Sequence, residues 1–161
     1  MDCRHIQARV YDDRGQGHAL VQDLDLQQVQ TLFRRTAFWA KDRSVDEWAI
    51  ALANSRPIAT LWDSDRLIGF ARATSDGIYR ATIWDVVVHG DYQGAGLGRK
   101  LVETVLTHPH VNRVERVYLM TTHQQQFYER IGFSENQTTT MVLHNQRIEA
   151  DALTAWSLES L

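Results

Sequence analysis

Apolar positions follow two rhythms along this chain, strict alternation and helical spacing, and their order predicts the elements. Residues 5–11 alternate and predict a first strand. Asp12-Asp13-Arg14-Gly15-Gln16-Gly17 is a turn cluster. Val29, Leu32, Phe33 and Ala37 lie at helical spacing and predict a helix over 26–40. Ser44-Val45-Asp46-Glu47 opens a second helix as a capping box, with Ser at the cap and Glu three residues on. That helix runs to about Asn54, where Ser55-Arg56-Pro57 stops it. Residues 58–63 and 66–74 read as a hairpin across Ser64-Asp65, and 80–88 as the central strand. A helix over 94–108, a strand over 114–120, a short helix over 124–131 and a last strand over 138–144 complete the order. Strands outnumber helices and include adjacent hairpins, so the expected class is α+β (α/β), a mixed and mostly antiparallel sheet flanked by helices.

At 161 residues the chain reads as a single domain over 1–161, and 43% hydrophobic content suffices for a normal core. Residues 145–161 form an extension that sets Ile148, Leu153, Trp156, Leu158 and Leu161 on a polar background. Such a segment either docks on its own domain or makes a dimer contact, and the pattern leaves both open. A net charge of −3 without a basic tract argues against nucleic acid as a partner. One cysteine, Cys3, rules out an internal disulfide, and the seven histidines scatter without i, i+4 pairing, so no metal site is expected. There is no long apolar run to span a membrane, and Met-Asp-Cys-Arg-His opens the chain without a secretory core, so a cytoplasmic location is expected.

The chemistry concentrates in residues 86–102. Val86-Val87-Val88 ends a strand, a turn follows, and Gln93-Gly94-Ala95-Gly96-Leu97-Gly98-Arg99 leads into an amphipathic helix. Glycines there let a ligand approach the backbone, and the first N–H groups of a helix, with the positive end of its dipole, favour an anion. The spacing decides which anion. A dinucleotide fingerprint counted from Gly94 would end on Arg99 instead of glycine, and a Walker loop would need Ser or Thr after Lys100. Gln93, Gly96 and Gly98 instead make Q-x-x-G-x-G, which resembles the acetyl-CoA-binding signature of the GCN5-related N-acetyltransferases (GNAT). Phe127-Tyr128-Glu129-Arg130-Ile131-Gly132-Phe133 resembles that family's second signature. Gly69 to Asp76 and Ala81 to Val86 are similar to the branch found in plant plastids and cyanobacteria, which includes serotonin N-acetyltransferase-like and protein lysine acetyltransferases. The resemblance extends over about residues 39 to 143.

The resemblance implies a GNAT-like domain with a splayed central strand and an enzyme that moves acetyl from acetyl-CoA to a primary amine by direct attack in a ternary complex. The acceptor would be an arylalkylamine such as serotonin or a protein lysine. In that family, backbone N–H groups near a bulge polarise the thioester; here they would be those of Val86, Val87 and Val88. Tyr128 would protonate the departing thiolate, a transfer that needs good geometry because a phenol of pKa about 10 must serve a thiol of about 8.5. Thr122 aligns with a position near the pantetheine arm, or is a plain helix cap. Cofactor binding is thus expected at residues 86–88, 93–99, Thr122 and Tyr128. Asp85, an acid within an apolar strand, is the candidate base, with an ion pair to Arg72 as the structural alternative. Alternation would set it beside Ile83 and Val87, opposite Trp84, Val86 and Val88. Trp39 and Trp48 would wall an acceptor cleft, or lie in the core. A non-catalytic acyl-CoA-sensing module of the same fold is the alternative from another class.

Overall fold

The computed structural model describes residues 3–15 and 17–145. Five strands form one open sheet in the order β1-β2-β3-β4-β5: β1 Gln7–Tyr11, β2 Ile58–Asp63, β3 Arg66–Ser75, β4 Arg80–Val88 and β5 Arg116–Tyr118. Neighbours run antiparallel except β4 and β5, which are parallel. The segment read as central is therefore the fourth strand, with β3 in the middle. Helices α1 Leu26–Thr36 and α2 Val45–Ala53 cover one face, where Val29, Leu32, Phe33, Trp48 and Leu52 pack with Phe70 and Val87. Helices α3 Leu97–Thr107 and α4 Gln125–Glu129 lie on the other, where Leu97, Leu101, Val102 and Val105 pack with Ile68, Ala71, Ala73 and Ile83.

Local chemistry explains most element ends. The capping box forms as expected: Ser44 Oγ accepts from the Glu47 amide at 3.1 Å, and Glu47 Oε2 accepts from the Ser44 amide at 2.8 Å. Asp25 caps α1 by accepting from the amides of Gln27 and Gln28. The helix expected over 26–40 breaks at Ala37, whose φ of −131° and ψ of 92° are extended, and resumes as a 3₁₀ turn at Phe38–Ala40. The glycine-rich helix starts at Leu97 because Gly94 (φ +80°) and Gly96 (φ +77°) take left-handed conformations that an α-helix does not use.

The strand expected over 138–144 is not formed. β5 is three residues long, and its outer edge has no strand partner among the described residues. Asn136 Nδ2 instead bonds Thr138 locally, to the carbonyl oxygen at 3.3 Å and to Oγ1 at 2.7 Å. Such bonds compete with a ladder, and Met141, Val142 and Leu143 stay exposed. The extension expected to dock or dimerise falls, after Asn145, outside the described residues.

Candidate active site

β4 builds most of the site. It pairs with β3 along one edge but with β5 only from Arg80↔Arg116 to Thr82↔Tyr118. The parallel neighbours then part, which is the expected splay. On the β3 side the His89 amide donates to the Ile68 carbonyl at 2.8 Å. Alternation therefore turns the Val88 amide toward the opened side.

The β3–β4 register shifts between Phe70, opposite Val87, and Arg72, opposite Trp84. Asp85 and Val86 thus share the space opposite Ala71, a β-bulge, and Asp85 sits at φ +56°. One extra residue inverts the alternation beyond it. Val87 packs on the α1–α2 side, whereas Val86 and Val88 join Ile83 on the α3 side. The face expected for Asp85 is thereby corrected: it shares the α1–α2 side with Trp84, not with Ile83, because the bulge breaks the two-residue period.

On that side the Asp85 side chain is 7% exposed and held between two guanidinium groups, Arg43 Nη1 to Oδ1 at 3.0 Å and Arg72 Nε to Oδ2 at 2.7 Å. The ion pair with Arg72 weighed from sequence is therefore present, and Arg43, 42 residues earlier in the chain, is a partner no local pattern announced. Arg72 Nη1 also donates to Ser55 Oγ at 3.1 Å. Beside this cluster is a cavity of about 300 Å³ lined by Arg43, Glu47, Trp48, Ala51 and Arg72. The aromatic wall expected from Trp39 and Trp48 is not assembled. Trp48 is buried in the core under the Arg43 guanidinium, 5.0 Å from its ring centroid, while Trp39 stacks edge-on with Phe38 at the surface.

The cofactor side is built differently. Gln93 Nε2 donates to the Val88 carbonyl at 3.0 Å and ties the loop to the end of β4. α3 begins at Gly96 without a side-chain cap, so its first amides are left for an outside acceptor. A Cβ placed on Gly94 or Gly96 would meet nothing within 4 Å, so the space against this backbone is open to a ligand. These residues fit a pyrophosphate. A Cβ on Gly98 would lie 3.4 Å from Phe127 Cζ, which brings α4 against the loop. The Tyr128 ring is 4.8 Å from that of Phe127 and 5.9 Å from that of Phe133. Burial raises the Tyr128 pKa above that of an ordinary phenol, so the hydroxyl keeps its proton at working pH. Thr122 is exposed, and the hydroxyl that accepts from the Gln124 amide belongs to Thr121. The structure thus gathers Val86, Val88, residues 93–99 and Tyr128 on the α3 side and sets Asp85, with Val87 beside it, on the opposite face.

The sequence model of the Acetyltransferase (GNAT) domain matches residues 54–135. An uncharacterized N-acetyltransferase, ycf52-like, from Prochlorococcus marinus is 41% identical over 103 residues, 62% of this chain and 56% of that protein. Histone acetyltransferase TAP1 of Glycine max is 36% identical over 123 residues, 69% of this chain and 52% of that protein. The chain thus spans little more than half the length of the curated relatives it matches. Among solved structures, a putative GNAT-family acetyltransferase of Xanthomonas campestris superposes with a TM-score of 0.68 at 25% identity, over 85% of this chain and 94% of that one. A putative acetyltransferase of Deinococcus radiodurans gives 0.71 at 22% identity, over 88% and 91%, a likeness of fold.

Proposed function

The chain belongs to the GNAT acetyltransferase family, and from that premise we propose that it transfers acetyl from acetyl-CoA to a primary amine by direct attack in a ternary complex. The observation that carries this is the open edge of β4 meeting the uncapped first turn of α3. The backbone of residues 93–99 receives the pyrophosphate. Of the amides of Val86, Val87 and Val88, that of Val88 is turned to the open side and polarises the thioester oxygen, while alternation turns that of Val87 toward β3. Asp85 takes the amine's proton directly or through water. Arg43 and Arg72 engage two of the roughly four lone-pair sites of its carboxylate and hold it still. As the new C–N bond forms and the C–S bond breaks, Tyr128 gives its proton to the leaving thiolate and regains one from solvent.

The acceptor we favour is a protein lysine. The cavity beside Asp85 is open and lined by Arg43, Glu47, Ala51, Arg72 and Trp48. Trp48 is 1% exposed and its ring is covered by Arg43, so little aromatic surface is offered for stacking and an extended aliphatic amine is favoured over a flat ring. The Glycine max relative, named a histone acetyltransferase, points the same way. An arylalkylamine such as serotonin is the second acceptor class, on the strength of the exposed Phe38–Trp39 pair. The test is CoA release with lysine peptides and with aryl and alkyl amines. Turnover on peptides with little on free arylalkylamines is expected. The reverse ranking would reassign the acceptor, and tight acetyl-CoA binding with no turnover on any amine would make the chain an acyl-CoA sensor.

A further inference from the structure

A second polar cluster lies at the far end of α3, about 16 Å from the cofactor loop at a rise of 1.5 Å per residue over eleven residues. Asp12 follows β1, His18 lies in the next loop, and His108 ends α3. Asp12 and His108 are buried, at 2% and 5% exposure. Asp12 Oδ2, His18 Nδ1 and His108 Nε2 all lie within 4.8 Å of one another. His108 Nε2 stands 3.0 Å from Asp12 Oδ2, and His18 Nδ1 stands 3.8 Å from it. Yet none of the three atoms has a partner in hydrogen-bonding geometry among the described residues. Close approach without an aligned proton is unusual for buried polar atoms, and it is the arrangement of ligands turned toward a common point.

We infer that Asp12, His18 and His108 form a binding site for a divalent cation of the zinc class, separate from the acetyl-transfer site. Two imidazole nitrogens and one carboxylate oxygen suit Zn²⁺ and its neighbours better than Mg²⁺ or Ca²⁺, which prefer oxygen. Ligands about 2.0–2.2 Å from a tetrahedral zinc are about 3.3–3.6 Å apart, and the two contacts to Asp12 Oδ2 straddle that spacing. Arg56 Nε holds the other carboxylate oxygen at 2.7 Å and fixes the ligand's orientation, although as a nearby cation it also weakens binding. Gly15 leaves the room: a Cβ there would stand 2.5 Å from His18 Nδ1 and 2.6 Å from Asp12 Oδ2. His18 is partly exposed, which gives the ion an entry path. His108 Nδ1 now accepts from the His110 amide at 3.2 Å. Ligation through Nε2 moves the ring proton to Nδ1, where it faces the His110 amide as donor against donor, so metal binding requires that amide or the ring to turn slightly. The ion would fasten the loop after β1 to the end of α3, without a part in the chemistry at its start.

The test uses the full chain, stripped by chelator dialysis and titrated with Zn²⁺ against a chromophoric chelator. One equivalent should bind with micromolar affinity or tighter. His18→Gln, at the exposed ligand, and Gly15→Ala, which removes no ligand but crowds His18 Nδ1 and Asp12 Oδ2, should each weaken binding at least tenfold. X-ray absorption of the zinc-loaded wild type should show two imidazoles, a reading that does not depend on any variant folding. Binding that is absent, that is unchanged in His18→Gln, or that shows fewer than two imidazoles would overturn the site.

Discussion

The two faces of the sheet at the bulge of β4 handle polarity in opposite ways. On the α1–α2 side every charge at the site is answered from within: Asp85 by Arg43 and Arg72, Arg72 also by Ser55, the first turn of α2 by its capping box. On the α3 side donors are left over, in the uncapped first turn of α3 and along the edge of β4 past Thr82. Gly94 and Gly96 are exposed, so water meets these donors until a ligand displaces it. On the proposed reading, the acceptor side is built to stay put and the donor side to be completed by acetyl-CoA. Substitutions should sort accordingly: those on the α3 side should cost activity with little stability, and those around Asp85 should cost stability together with the activity that depends on the proposed base.

The largest effect should come from Tyr128→Phe, which keeps the ring and its contacts with Phe127 and Phe133. General acid catalysis contributes about 10²–10⁴ in rate, so kcat should fall by that order while the melting temperature and acetyl-CoA affinity hardly move. Because burial raises this phenol's pKa, the wild-type rate should keep its acid form past pH 10 and fall only above it, and the variant should lose that limb. Single-turnover rates across pH check both points. A wild-type rate in the variant would make Tyr128 a packing residue and leave thiolate protonation to water.

Arg72→Ala should lower stability as well as rate, because it releases the carboxylate proposed as the base. It strips one guanidinium from a carboxylate that is 7% exposed. Loss of a buried ion-pair partner costs about 3–5 kcal/mol, and with Arg43 still present the lower end is expected in urea unfolding. Acetyl-CoA affinity, measured on the folded fraction, should stay within about twofold, roughly 0.4 kcal/mol; a larger drop would mean that the two faces are coupled through the bulge.

Gly96→Glu places a charged side chain in a left-handed position at the mouth of the cofactor loop. Acetyl-CoA binding by calorimetry should weaken at least tenfold, about 1.4 kcal/mol. Unchanged affinity would remove the pyrophosphate from this loop. The smallest effect belongs to Ser44→Ala, which deletes the cap of α2 and should lower stability by about 1 kcal/mol with no change in KM for acetyl-CoA.

What the sequence made legible was local. The capping box, the hairpin at Ser64-Asp65 and the glycine loop each depend on residues a few positions apart, and each formed where expected. The bulge is implied near Val86 by the family resemblance alone; no local pattern sets it at Asp85, since a left-handed non-glycine residue is uncommon and nothing beside this one requires it. That single residue inverted the assignment of faces for Val86, Val87 and Val88. Arg43 reaches Asp85 from 42 positions away, and the Asp12, His18 and His108 group converges from opposite ends of the domain, so i, i+4 spacing had no means of finding either. Residues 138–144 had the composition of a strand, but a strand also needs an available partner, and propensity does not supply one.

Gly98 leaves a trace of selection that needs no alignment to read. It lies in the first turn of α3, and a Cβ there would touch only Phe127 Cζ at 3.4 Å and two further side-chain atoms beyond it, all ordinary contacts. Its backbone is not left-handed. Alanine would therefore fit the folded chain and strengthen the helix by about 0.5–1 kcal/mol. On the proposed reading, glycine stands there because acetyl-CoA passes close to its backbone, so Gly98→Ala should raise the melting temperature and weaken acetyl-CoA binding. An engineer seeking a hardier version of this domain would find the gain easily at Gly98, and would find it at the expense of the cofactor.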